Sequence, residues 1–81
     1  MIRFNLHKPL GELESRNGRY SYARISEISG ISRQGVRRLL TDETRQIDIT
    51  TLDRLLLFFA REGMPVAIGD LFVVEPDDPT G

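Results

Sequence analysis

The chain has 81 residues, 40% hydrophobic and 28% charged, with 11 lysines and arginines against 12 acids for a formal net charge of -1. That length holds one domain, which buries only about 60 to 65% of the surface its unfolded chain exposes, so packing has to be efficient. The composition excludes a disordered chain, and the absence of cysteine excludes disulfides, thiolate zinc sites and a cysteine nucleophile; it fits a reducing cytosol, and a cytoplasmic location is the expectation.

Ile2, Arg3 and Phe4 alternate apolar and polar and predict a short strand before Asn5. Leu6, Leu10 and Leu13 are spaced four and three apart, as on one face of a helix that Gly18 would end. Pro9 is tolerable only in the first turn, so this helix is expected to start near Lys8 or to open irregularly. The opening MIRFNLHKPLGEL lacks the charged-then-apolar layout of a signal peptide, and the longest apolar run, Leu55 to Ala60, is far short of the roughly 20 residues that cross a bilayer. Neither export nor membrane insertion is expected.

Ser21 is a good N-cap for a helix carrying Ile25 and Ile28 that halts before Gly30. Gly30 permits the left-handed backbone of a sharp turn, Ile31 is an apolar plug, and Ser32 can cap a further helix through Val36, Leu39 and Leu40. Gly35, costly by about 1 kcal/mol in a helix interior, suggests close approach of another backbone or of the preceding helix. A polar loop from Asp42 leads to Asp48, and Thr50, Thr51, Leu52, Asp53 matches the S/T-x-x-D/E helix start. Leu52, Leu55, Leu56 and Phe59 form the core stripe of that fourth helix, which Gly63 and Pro65 stop.

Leu57, Phe58 and Ala60 add apolar surface off the stripe, so the fourth helix needs cover on two sides. One cover is the C-terminal segment, where Ile68, Leu71 and Phe72 suggest a helical turn running into extended Phe72, Val73 and Val74. The other is a second copy, docked through Leu57, Phe58 and the C-terminal segment. Residues 1–75 therefore read as one domain and 76–81, with Asp77 and Asp78 between prolines, as a flexible acidic tail.

Charge is unevenly distributed. Between Arg16 and Arg45 seven arginines face Glu27, Asp42 and Glu43, a local balance of +4, whereas five acids and no base follow from Glu62 onward. Screening acts over about 8 to 10 Å, so the basic stretch can attract a polyanion while the acidic segment points elsewhere.

Residues 22–41, YARISEISGISRQGVRRLLT, resemble the helix-turn-helix of the Cro/repressor (XRE) family of bacterial and phage DNA-binding proteins. The match lies in Ile25 of the first helix, Gly30 at the turn, Ile31 after it, and Val36 and Leu39 in the second helix. A preceding helix, a linker ending in RQIDITTLDRL and a small last helix before GDLF extend the likeness over about residues 1–75. Two positions depart from the family pattern: Ser26 stands where alanine is usual and its hydroxyl needs a partner, and Ser29 is polar where many members are apolar.

The resemblance implies a mainly all-α, five-helix lambda-repressor-like DNA-binding domain, in a subtype whose short terminal strands pair antiparallel. It also implies a sequence-specific regulator of transcription, foremost a repressor, that inserts helix 33–41 in the major groove of an operator as a homodimer. By the family's docking mode Arg33, Gln34, Arg37 and Arg38 read bases; arginine offers guanine O6 and N7 a bidentate pair and glutamine does the same for adenine. Arg19, Ser21, Tyr22, Ser32 and Arg45 are the phosphate contacts, with Thr41 and Thr44 behind them.

Plainer readings compete. Arg33, Arg37 and Arg38 also suit a solvated helix face pairing with Glu27, Asp42 or Glu43, and such pairs are nearly neutral in energy. Tyr20 reads as half-buried packing with a wet hydroxyl, and His7, the lone histidine, as an exposed or capping side chain. With no P-loop, dinucleotide fingerprint, nucleophile elbow or metal-spaced histidines, neither an enzyme nor a cofactor nor a metal is expected. The functional rival is an antitoxin-like or protein-interaction module that keeps the helix-turn-helix but acts through a protein partner such as a toxin, paired along the Val73, Val74 edge.

Overall fold

The computed structural model describes residues 2–41 and 47–74. Strand β1 is Ile2–Phe4, followed by helices α1 (His7–Asn17), α2 (Tyr22–Ser29), α3 (Arg33–Leu40) and α4 (Ile49–Arg61), a 3-10 helix Ile68–Leu71, and strand β2 (Phe72–Val74). The described chain is thus mostly helical with one small antiparallel sheet, in which Ile2 faces Val74, Arg3 faces Val73 and Phe4 faces Phe72. Asn5 N–H extends this ladder by donating to the Leu71 carbonyl at 2.7 Å, and the Phe4 and Phe72 rings meet edge to face.

Helix α1 opens at His7, one residue ahead of the expected start, which places Pro9 third in the helix, inside the first turn, where its missing N–H has no intrahelical acceptor to lose. Leu6 at its N-cap and Leu10 and Leu13 within it are all buried in the core, as their spacing predicts. They meet Ile25 of α2, Val36, Leu39 and Leu40 of α3, Leu52, Leu55, Phe58 and Phe59 of α4, and Leu71 in one contiguous cluster. No helix among the described residues is long and apolar enough to cross a membrane.

Three expectations need correction. Helix α4 begins at Ile49, with Asp48 rather than Thr50 as its N-cap: the Asp48 carboxylate accepts the Thr51 N–H at 2.7 Å. A charged acceptor at the positive end of a helix outcompetes a threonine hydroxyl two residues later. Phe58, assigned to a dimer face, is 1% exposed, its ring packed edge to face on Tyr20 and Phe59, so of that pair only Leu57, 44% exposed, remains on the surface. Leu52, Leu55 and Phe59 of the expected stripe are buried, and Phe58 takes the inward place given to Leu56, which is half-buried. Finally, the small helix expected before GDLF is a four-residue 3-10 helix that includes Gly69, Asp70 and Leu71. Asp70 closes it by accepting the Ala67 N–H on its side chain at 2.9 Å.

Hydrogen bonds from the Thr51 side chain and backbone hold the Asp48 carboxyl below its ordinary value of 3.8. A carboxyl depressed by folding stabilises fully above its ordinary value, and that contribution is lost as pH falls through the depressed one. Urea unfolding should therefore show the protein weakening from about pH 4 downward, and Asp48→Asn, which caps without titrating, should weaken less over the same interval.

Candidate nucleic-acid interface

The turn between α2 and α3 is built around Ile31. Gly30 takes the left-handed conformation at φ 79° and ends α2, while Ser32 is extended and caps α3 by accepting the Gly35 N–H at 3.0 Å. Ile31 itself is buried, and both of its peptide groups are held by serines of α2. Its N–H donates to Ser29 Oγ at 3.1 Å, and its carbonyl accepts from the Ser26 hydroxyl. Ser29 in turn donates to the Ile25 carbonyl at 2.6 Å, so Ser26 and Ser29 between them satisfy a buried peptide.

Gly35 marks the next constraint. A Cβ there would stand 2.9 Å from Ile31 Cγ2 and 3.1 Å from Ser32 Oγ. The close neighbour is thus the plug side chain and the cap hydroxyl, neither another backbone nor the body of α2. With Val36, Leu39 and Leu40 buried against the core, α3 turns Arg33, Gln34, Arg37 and Arg38 outward onto one exposed face. No described residue bonds to the side chains of Arg33, Gln34 or Arg37. Arg37 and Arg38 sit in the last turn, favourable for the helix dipole, whereas Arg33 is the first residue of α3 and no acid occupies its first turn.

The residues predicted to meet phosphate divide into three groups. Arg19, Ser21 and Tyr22 line one open groove of about 750 Å³, with His7, Leu10 and Leu40 as further walls. Ser21 caps α2 by accepting the Arg24 N–H at 3.1 Å, and Tyr22, the first residue of that helix, is exposed. Ser32 stands apart, at the start of α3. Arg45 and Thr44 lie outside the described residues.

Sequence reading missed several members of this region. Arg24 lines the same groove, its guanidinium over the Tyr20 ring at 4.9 Å and 3.9 Å from Glu62 Oε1. Tyr20 is buried rather than wet: its hydroxyl donates to Glu62 at 2.6 Å and accepts from Asn17 at 3.0 Å, and burial first, then the Glu62 bond, pushes its pKa up. His7 uses Nε2 to reach the Leu40 carbonyl at the end of α3. Because a carbonyl only accepts, this nitrogen carries the proton. Arg54 and Arg61 of α4 donate to the carbonyls of Gly30 and Ile28 at 2.7 and 2.9 Å. The Asn17–Tyr20 and Arg24–Tyr20 contacts are local. The bonds of Tyr20 to Glu62, His7 to Leu40, Arg54 to Gly30 and Arg61 to Ile28 span 24 to 42 positions and leave no local spacing signal, so only the fold reveals them.

Replacing Gly35 tests the turn. Alanine favours the helix by up to about 1 kcal/mol, but crowding Ile31 and the Ser32 cap costs about 1 to 3 kcal/mol. Gly35→Ala should lower thermal stability by several degrees, about 4 to 8 °C per kcal/mol for a domain of this size, as read by circular dichroism. Compared with family models, with curated proteins and with solved structures, the chain matches none, and the reading of this interface rests on its own residues.

Proposed function

We propose that this chain is a sequence-specific double-stranded DNA-binding regulator of transcription of the Cro/repressor kind, acting as a repressor. In this reading the domain is the five-helix lambda-repressor-like arrangement, the 3-10 helix Ile68–Leu71 standing for the fifth helix. Helix α3 enters the major groove, with Arg33, Gln34, Arg37 and Arg38 toward base edges and Arg19, Ser21, Tyr22, Ser32 and Arg45 toward phosphates.

The observation that carries it is the charge at the start of α3. Arg33 opposes the positive end of its own helix, at a cost of about 0.3 to 1 kcal/mol, and no acid in the first turn relieves it. The first turns of α1 and α4 hold no acid either, so what sets α3 apart is the exposed arginine at its first position. An anion supplied from outside turns the same arrangement into an attraction, as does the neighbouring first turn of α2, which also lacks an acid.

Selection of bound fragments from random duplex DNA should yield a two-fold symmetric consensus with half-sites about 34 Å apart. Affinity should fall with salt at a log-log slope of about -0.9 per neutralised phosphate, and Arg19→Ala should weaken all duplexes alike. An Arg33, Gln34, Arg37 triple alanine variant should lose preference for the consensus while still binding random duplex. Retained preference in that variant, or salt-independent binding, would falsify the assignment of α3.

The homodimer in this proposal uses Leu57. Substitution by aspartate should leave the helical circular dichroism unchanged and shift light scattering from dimer to monomer; an unaltered mass would move the dimer contact elsewhere. A specific observation favours the second reading, an antitoxin-like interaction module: Ile2 and Val74, opposite each other in the sheet, are 69% and 73% exposed, and each strand has one edge unpaired among the described residues. Stable capture of a partner protein with no selectable duplex would favour that reading.

A further inference from the structure

The carbonyls at the end of α2 pose a problem that the helix cannot solve alone. The last residues of any α-helix leave carbonyls without an intrahelical donor. Here Gly30 N–H returns to the Ser26 carbonyl at 2.9 Å, but the Ile28 and Gly30 carbonyls receive side chains from a different helix. Arg61 donates to Ile28 and Arg54 to Gly30. Seven residues, about two turns, separate these arginines, so both project from one side of α4 and reach the end of α2 together. Two guanidinium charges at the negative end of α2 are also where the helix dipole favours them.

The point of contact matters. Gly30 is the left-handed residue from which the chain turns into Ile31, Ser32 and α3. Holding its peptide oxygen holds the direction in which α3 departs. The far end of α3 is tied separately, by His7 on the Leu40 carbonyl. Helix α3 is therefore fixed at its entry from α4 and at its exit from α1, in each case by a basic side chain on a backbone carbonyl.

We propose that Arg54 and Arg61 are positioning residues that set the angle at which α3 is presented, so that sequence discrimination depends on two arginines that do not read bases. The proposal rests on the DNA-binding reading, and it deepens that reading by naming where specificity is set. Hydrogen bonds to base edges depend steeply on alignment, whereas phosphate attraction does not. Loosening the entry of α3 thus degrades discrimination and leaves general affinity in place.

The test uses the full chain carrying Arg54→Ala and Arg61→Ala together. The ratio of affinities for the selected duplex and a random duplex should fall about tenfold, the worth of one misaligned bidentate contact, with random-duplex affinity and salt slope unchanged. Residual dipolar couplings of the free protein should show α3 reoriented relative to α4. A ratio within about twofold of wild type overturns the proposal, and so does an equal loss on both duplexes with a shallower salt slope, the mark of phosphate contacts.

If the double variant shows no cooperative thermal transition, Arg61→Ala alone is read against the same two criteria. Arg54→Lys, which keeps a donor and the charge, should recover part of the discrimination lost in Arg54→Ala; no recovery counts against the carbonyl bond. Should the wild-type protein prefer no duplex at all, the DNA-binding reading fails by itself. The dipolar couplings then decide the positioning claim, an unchanged angle between α3 and α4 in the variant refuting it.

Discussion

Everything in the helix-turn-helix depends on burying the peptide groups of Ile31 without leaving them unsatisfied. A buried donor or acceptor with no partner costs about 1 to 3 kcal/mol, a large fraction of what a small domain has to spare. Ser29 and Ser26 meet that demand from α2, the Ile31 side chain seals the joint, and Gly35 leaves room for it on α3. Once the plug is seated, α3 has one possible rotation. Val36, Leu39 and Leu40 go inward, and the arginines and glutamine of the same helix are left outside. Packing and exposure are two sides of one constraint.

Electrostatics on this chain is decided over single helix ends. A net charge of -1 says little about a surface whose fields fade within about 8 to 10 Å. What matters is that α2 and α3 begin with neutral serine caps where α4 begins with an aspartate, and that α3 opens with arginine. By contrast the cations on α4 face backbone carbonyls, and Arg24 is shared between the Tyr20 ring and Glu62. The basic residues are thus partitioned between holding the fold and presenting charge.

Much of this architecture is legible in the sequence because it is local. Caps at Ser21 and Ser32, the turn at Gly30, the leucine stripe of α1 and both short strands follow from spacing and side-chain chemistry within a few residues. Where local reading failed, a longer-range term outweighed it. Phe58 lies inside because Tyr20 and Phe59 offer it ring contacts that a helical wheel cannot show. Asp48 displaced Thr50 as a cap because an ionised acceptor is stronger than a hydroxyl. Tyr20, His7, Arg54 and Arg61 find partners across the fold, and no window on the sequence brings them together.

The small sheet has a topological meaning of its own. Ile2 and Val74 lie at opposite ends of the described chain, yet they are directly paired. Closing so long a loop costs an unfolded chain only logarithmically more than closing a short one, but the closure has to be made before three strand residues a side return anything. Two isolated three-residue strands cannot nucleate that event. The sheet is therefore a clasp that depends on the helices to bring its two strands together. In the clasped state the first and last described strands hold each other, and fraying that starts at β1 has to break the sheet before it can reach α1.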